Sequence, residues 1–102
     1  MAKTKETPAL LKDDHEAVLF AAIASLKNAD EVRRFLADLC TRQEIAAFSE
    51  RLLIARLLQQ GGLSYREISA LTGASTTTIG RVARYLEQEP HQGYKLVLGR
   101  KK

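Results

Sequence analysis

The apolar positions change character from segment to segment. Residues 1–12, with Lys3, Lys5, Glu6, Pro8 and Lys12, have little periodicity and predict a flexible arm. From Asp13 onward a helix is expected. Asp13-Asp14 offer a cap, and their carboxylates suit the positive end of a helix dipole. Ala17, Val18, Phe20, Ala21, Ala22, Ile23, Ala24 and Leu26 then leave almost no polar face before Lys27. A helix apolar nearly all round must be covered on several sides, and the short helices that follow could hardly cover it within one chain. The pattern predicts an intertwined homodimer.

Asp30 reads as the cap of a second helix, Glu31 to Leu39, with Val32, Phe35, Leu36 and Leu39 at helical spacing. Thr41-Arg42-Gln43-Glu44 is a capping box, in which Thr and Glu each satisfy the other's free backbone N–H. It opens a third helix to about Gln60, with Ile45, Phe48, Leu52, Ala55 and Leu57 or Leu58 on one stripe. Gly61-Gly62 stops it, because glycine takes the left-handed cap conformation without a Cβ penalty. Ser64-Tyr65-Arg66-Glu67 repeats the box and starts a short helix that Gly73 breaks. A last long helix carries Ile79, Val82, Ala83 and Leu86, and Pro90 with Gly93 closes the helical region. Tyr94-Lys95-Leu96-Val97-Leu98 fits either a short strand or one helical turn. The expected class is all-α, with an arm at 1–12, a helical domain at 13–90 and a basic tail at 91–102.

Charge sharpens this division. Residues 1–60 hold nine basic and nine acidic residues, whereas residues 61–102 hold seven basic and three acidic, so the net charge of +4 lies in the second segment. A neutral part joined to a cationic part suggests an assembly region and a region that meets a polyanion. Arg100-Lys101-Lys102 supply three of those charges, and a plain solubilising tail would have the same composition. The length of 102 residues suits one domain, and the 45% hydrophobic content suits a core. No apolar run nears the ~18 residues of a membrane span, and the N-terminus lacks a secretory apolar core. One cysteine, Cys40, cannot form an internal disulfide, as expected of a cytoplasmic protein.

Residues 64–88 fit a helix-turn-helix, two helices joined by a short glycine-containing turn. Ile68 faces the second helix, Ser69 permits close approach, Gly73 reverses the chain, and Ala74, Ile79 and Val82 return apolar groups to the shared core. Thr72 fits less well, since a larger aliphatic is commoner there. Ser75, Thr76, Thr77, Gly80, Arg81 and Arg84 are left facing outward. Small hydroxyl side chains at the start of such a helix can reach base edges in a major groove. Free N–H groups at the helix start and Ser64 at the preceding one can hold phosphates, and Arg66, Arg81 and Arg84 supply charge for backbone or guanine contact. A helical hairpin whose threonines merely form caps is the plain alternative. Against it, Ser75-Thr76-Thr77-Thr78 is a poor run for a helix chosen only for stability.

Leu39-Cys40-Thr41-Arg42-Gln43-Glu44, Arg51, Gly61, Ser64-Tyr65-Arg66-Glu67, Gly73-Ala74 and Thr78-Ile79-Gly80-Arg81 resemble the Trp repressor family, in ungapped register over residues 36–86. The pattern is most like its YerC/YecD-type branch, which the ending Gly93-Tyr94-Lys95-Leu96-Val97-Leu98 also resembles. The resemblance implies an all-α intertwined homodimer, with exchanged N-terminal helices, that reads a palindromic operator on double-stranded DNA. It also implies an effector pocket beside the reading helices, where the family holds tryptophan between two arginines. Arg51 and Arg81 match those arginines, and Thr41 and Thr78 match pocket threonines. Val82 replaces a glycine and Tyr85 a small serine. Because overpacking typically costs ~1–3 kcal/mol, this bulk argues against L-tryptophan and leaves another small carboxylate as the alternative effector. Tyr85 could also fill the slot with its own ring. For the two arginines, pairing of Arg51 with Glu44 or Glu50 and phosphate binding by Arg81 are the ordinary readings.

Chemistry for catalysis is missing from the pattern. His15, His91 and Cys40 have no metal-ligand spacing, and Cys40 reads as a small buried apolar residue. The acidic pairs read as caps, and neither a phosphate-cradling glycine loop nor a nucleophile elbow is present. The sequence therefore predicts a non-enzyme without cofactor or metal: a DNA-binding transcription regulator, expected to repress. The alternatives are a helical dimer that binds a protein partner, with only non-specific nucleic-acid affinity, and a regulator that senses a carboxylate other than tryptophan.

Overall fold

The computed structural model describes residues 7–99, and every regular element among them is helical. The chain divides into two compact units, at Met1–Leu39 and Cys40–Lys102. No helix is long and apolar enough among the described residues to cross a membrane.

In the first unit, residues 7–12 are not wholly irregular, since Ala9–Lys12 forms a 3-10 turn. The predicted arm at residues 1–6 lies outside the described residues. Helix α1 spans His15–Ala24, and its cap is Asp14, whose Oδ1 accepts from the Ala17 N–H at 3.1 Å. No α1 residue is buried, and Phe20 is 62% exposed. Helix α2 spans Ala29–Leu39. Its start corrects the expected Asp30 cap, for Asn28 Oδ1 accepts from the Glu31 N–H and Glu31 Oε1 accepts from the Lys27 N–H, both at 2.9 Å. Asn28 thus satisfies one free donor of the first turn, and the Glu31 carboxylate satisfies the N–H of Lys27, the residue before the cap. Asp30 instead lies inside the first turn, paired with Arg33 at 2.8 Å and Arg34 at 3.7 Å. Val32, Phe35 and Leu36 are half-buried, while Leu39 is exposed.

The second unit is built from α3 (Arg42–Gln60), α4 (Tyr65–Thr72), α5 (Thr76–Glu87) and α6 (Gly93–Leu98). Both predicted capping boxes form, Thr41 with Glu44 and Ser64 with Glu67. Gly61 ends α3 at φ 81°, and Gly73 ends α4 in the left-handed region at φ 83°, where any side chain would be strained. The core gathers Ile54 and Ala55 from α3, Ile68 from α4, Ala74 from the turn and Ile79 and Val82 from α5. The α3 stripe needs correction. Ala55 is buried and Leu58 half-buried, but Phe48 and Leu52 are exposed, and Ile54 takes the central position. Only the C-terminal half of α3 contributes fully buried side chains.

Beyond α5 the helical region does not end at Pro90 and Gly93, as the sequence had suggested. Gly93–Leu98 is helix α6, so residues 93–98 are neither strand nor plain tail. Tyr94 and Leu98, four residues apart, both pack against the core, and the helical period therefore wins over alternation. Lys95 Nζ lies 3.7 Å from Glu87 Oε1, linking α6 to α5.

Candidate nucleic-acid interface

The α4–α5 unit is locked from inside and open outside. Ile68, Ala74, Ile79 and Val82 are all buried, as the spacing predicts. Side-chain hydroxyls then fix the turn. Ser69 Oγ donates to the Ala74 carbonyl at 2.6 Å, and Thr72 Oγ1 donates to the Ile68 carbonyl at 2.8 Å while accepting from the Ala74 N–H at 3.1 Å. Thr72, the weak fit on sequence grounds, thus satisfies a donor that a larger aliphatic would leave unpaired.

Ser75 caps α5: its Oγ accepts from the Thr78 N–H at 3.0 Å and donates to Thr78 Oγ1 at 3.1 Å. The N–H groups of Thr76 and Thr77, in the first turn, have no acceptor within the helix. Both residues are exposed, and Gly80, one turn on, is half-buried. Ser64 is more committed than expected. Its Oγ accepts from the Glu67 N–H and its N–H donates to Glu67 Oε1, which leaves only the hydroxyl proton for a phosphate.

The arginines differ among themselves. Arg66 and Arg81 are exposed and form no ion pair among the described residues. The Arg81 guanidinium lies 4.5 Å from the Tyr85 ring centroid. Arg84 Nε is instead paired with Glu89 Oε2 at 3.1 Å, and its guanidinium lies 5.2 Å from the same ring. Uncompensated charge on this face therefore comes from Arg66 and Arg81.

Beside the unit lies a cavity of about 540 Å³ lined by Arg51, Leu52, Arg81, Val82, Tyr85, Gly93, Tyr94 and Val97. The structure brings together four of the six expected pocket residues, Arg51, Arg81, Val82 and Tyr85. Thr41 and Thr78 are not among the lining residues; the Thr41 hydroxyl caps α3, and the Thr78 hydroxyl accepts from Ser75, the cap of α5. Val82 is 1% exposed and belongs chiefly to the core. Sequence reasoning missed the wall supplied by α6, whose only signal was the helical spacing of Tyr94 and Val97. Arg51 lies 5.4 Å from the Phe48 ring centroid and is not paired with Glu44 or Glu50. Two guanidiniums, two tyrosines and apolar side chains could receive a small carboxylate with an apolar body. Cys40 is half-buried and free, and no cluster of three metal-ligating side chains occurs among the described residues.

Comparison with known proteins places this geometry in context. The sequence model of the Trp repressor protein family matches residues 15–102. The uncharacterised protein YerC of Bacillus subtilis (strain 168) is 45% identical over 84 residues, which cover 82% of this chain and 79% of YerC. The crystal structure of a provisionally assigned Trp repressor from Staphylococcus aureus superposes with a TM-score of 0.76 at 38% identity, covering 92% of this chain and 94% of that one. A TrpR-like protein from Eubacterium eligens ATCC 27750 gives a TM-score of 0.75 at 40% identity, covering 93% and 99%.

Proposed function

This chain belongs to the Trp repressor family, a family of helical DNA-binding transcription regulators, and from that premise we propose that it acts as a homodimer that reads a palindromic operator and represses by occupying it. The observation that carries the proposal is the start of α5, where Thr76, Thr77 and Arg81 are exposed on a helix whose opposite side is fixed by Ile79 and Val82. Such a helix can enter a major groove, with Arg66 on the neighbouring helix supplying charge. The dimer is supported by α1, which is apolar nearly all round and has no buried residue. Each chain would cover that surface on its partner.

The test is selection of genomic fragments by the purified protein at about 0.15 M salt, a physiological ionic strength. One enriched palindrome is expected, bound ~10³-fold or more tighter than unrelated DNA. Thr77→Ala or Arg66→Ala should relax the choice of sequence, and unchanged choice would sink the assignment of α5 as the reading helix. Removing residues 99–102 should only weaken binding, whereas a protein-interaction module held to DNA by its tail would lose it altogether.

A second reading rests on the cavity, which two arginines without ion pairs among the described residues share with two tyrosines. It is regulation by a small carboxylate other than tryptophan. Stabilisation in a thermal-shift panel of carboxylic acids, with L-tryptophan inactive, is the expected outcome. A panel without any stabilising acid would count against an effector.

A further inference from the structure

Tyr65, the first residue of α4, is an aromatic side chain that the core does not use. Ile68, one turn further on, is fully buried, yet Tyr65 stays 43% exposed. Its hydroxyl has no hydrogen-bond partner among the described residues. The ring reaches the neighbouring helix, for a Cβ built on Gly80 would stand 3.9 Å from Tyr65 Cε2. Gly80 lies in the interior of α5, where glycine is the poorest helix former after proline. Its backbone is not left-handed, and a methyl group would meet the ring at ordinary contact distance. The fold itself therefore does not demand glycine here. A side chain longer than alanine would press on the ring, so the bare position leaves the ring its seat. That seat lies one helical turn beyond Thr76 and Thr77, which start the exposed face of α5.

A free phenol beside a DNA-reading face has a defined use. Tyrosine hydroxyls are among the donors that proteins direct at phosphate oxygens, and such contacts fix register and orientation without reading sequence. Resting on the DNA-binding reading above, we infer that Tyr65 is an operator-backbone contact. Its ring is seated at Gly80, and its O–H donates to a phosphate oxygen flanking the groove that α5 enters. It sets how α5 sits in the groove, while Thr76 and Thr77 meet the bases.

Tyr65→Phe removes one oxygen that makes no internal hydrogen bond, so its melting temperature should equal that of the parent. Its affinity for the selected operator should fall roughly 100-fold, about 10-fold for each of the two half-site contacts, the size of a hydrogen bond to a charged group. The fall should be equal for the operator and for single-base variants of it. Ethylation interference on the operator should show one phosphate per half-site that matters to the parent and no longer to Tyr65→Phe. Undiminished binding, or a loss that varies with the base substituted, overturns the contact and leaves the regulator reading standing. Failure of the parent protein to select any fragment overturns both.

Discussion

Residues 40–99 and residues 7–39 are both helical, both well capped and both rich in apolar side chains, but only the first closes a core. In residues 40–99, Ile54, Ile68 and Ile79 are entirely buried, with Ala55, Ala74 and Val82 around them. In residues 7–39 no residue is buried, although α1 is the most apolar helix of the chain. Apolar content alone does not make a core. Closure needs helices whose apolar stripes face one another, as the short α4 and α5 do across the turn at Gly73. A helix apolar on every side cannot be satisfied by one neighbour. Under the proposed function, the closed unit presents a surface to DNA and the open one is completed by a partner chain.

The sharpest way to break this contrast is to damage each unit at its own apolar centre. Ile79→Ala in the closed unit should cost about 2–5 kcal/mol, the range for emptying a buried isoleucine site, read as a lower denaturant midpoint. An unchanged midpoint would show that the core is not where the stability lies. Phe20→Asp in the open unit removes no buried contact of the single chain, so it should leave a monomeric protein unharmed. In a dimer that buries this ring it should weaken association by roughly 100-fold, since an unpaired carboxylate would replace an aromatic anchor. Sedimentation at two concentrations separates the cases, and an unaltered dimer would exclude Phe20 from the interface.

The same contrast explains what the sequence made legible. The start and the inner turn of the α4–α5 unit were readable because local chemistry punctuates both: a reciprocal Ser64–Glu67 box opens α4, and Gly73 ends it in the left-handed region. Its buried face was readable for the same reason, since Ile68, Ala74, Ile79 and Val82 have one partner surface. The start of α2 was misread because two cap chemistries compete within three residues, and Asn28, not Asp30, accepts from the Glu31 N–H. The stripe on α3 was misplaced because only the second half of its 19 residues contributes fully buried side chains, Ile54 and Ala55. Six residues were too few to tell a strand from α6, and so its wall of the cavity went unseen. Thr41 and Thr78 were assigned to the pocket by resemblance, whereas the Thr41 hydroxyl caps α3 and the Thr78 hydroxyl accepts from Ser75, the cap of α5.

Smaller substitutions test whether identical chemistry counts differently in the two units. Ser64→Ala removes a cap from a helix whose Ile68 is locked in the core, so the cost, about 1 kcal/mol, should appear in the global unfolding of the second unit. Asn28→Ala removes the corresponding cap in the open unit, and a similar cost should appear there as faster amide exchange in the first turn of α2, with the unfolding midpoint of the second unit unmoved. Equal shifts of one shared midpoint would mean that the two units unfold together. Asp30→Asn is the smallest probe. It breaks ion pairs with Arg33 and Arg34 whose side chains are mostly exposed. Exposed helix pairs contribute only about 0.3–0.5 kcal/mol and are screened by salt. A change within that range, shrinking as salt is raised, is expected by thermal melting. A larger and salt-independent loss would place Asp30 against a partner surface, and the open unit would then have a polar as well as an apolar side to its interface.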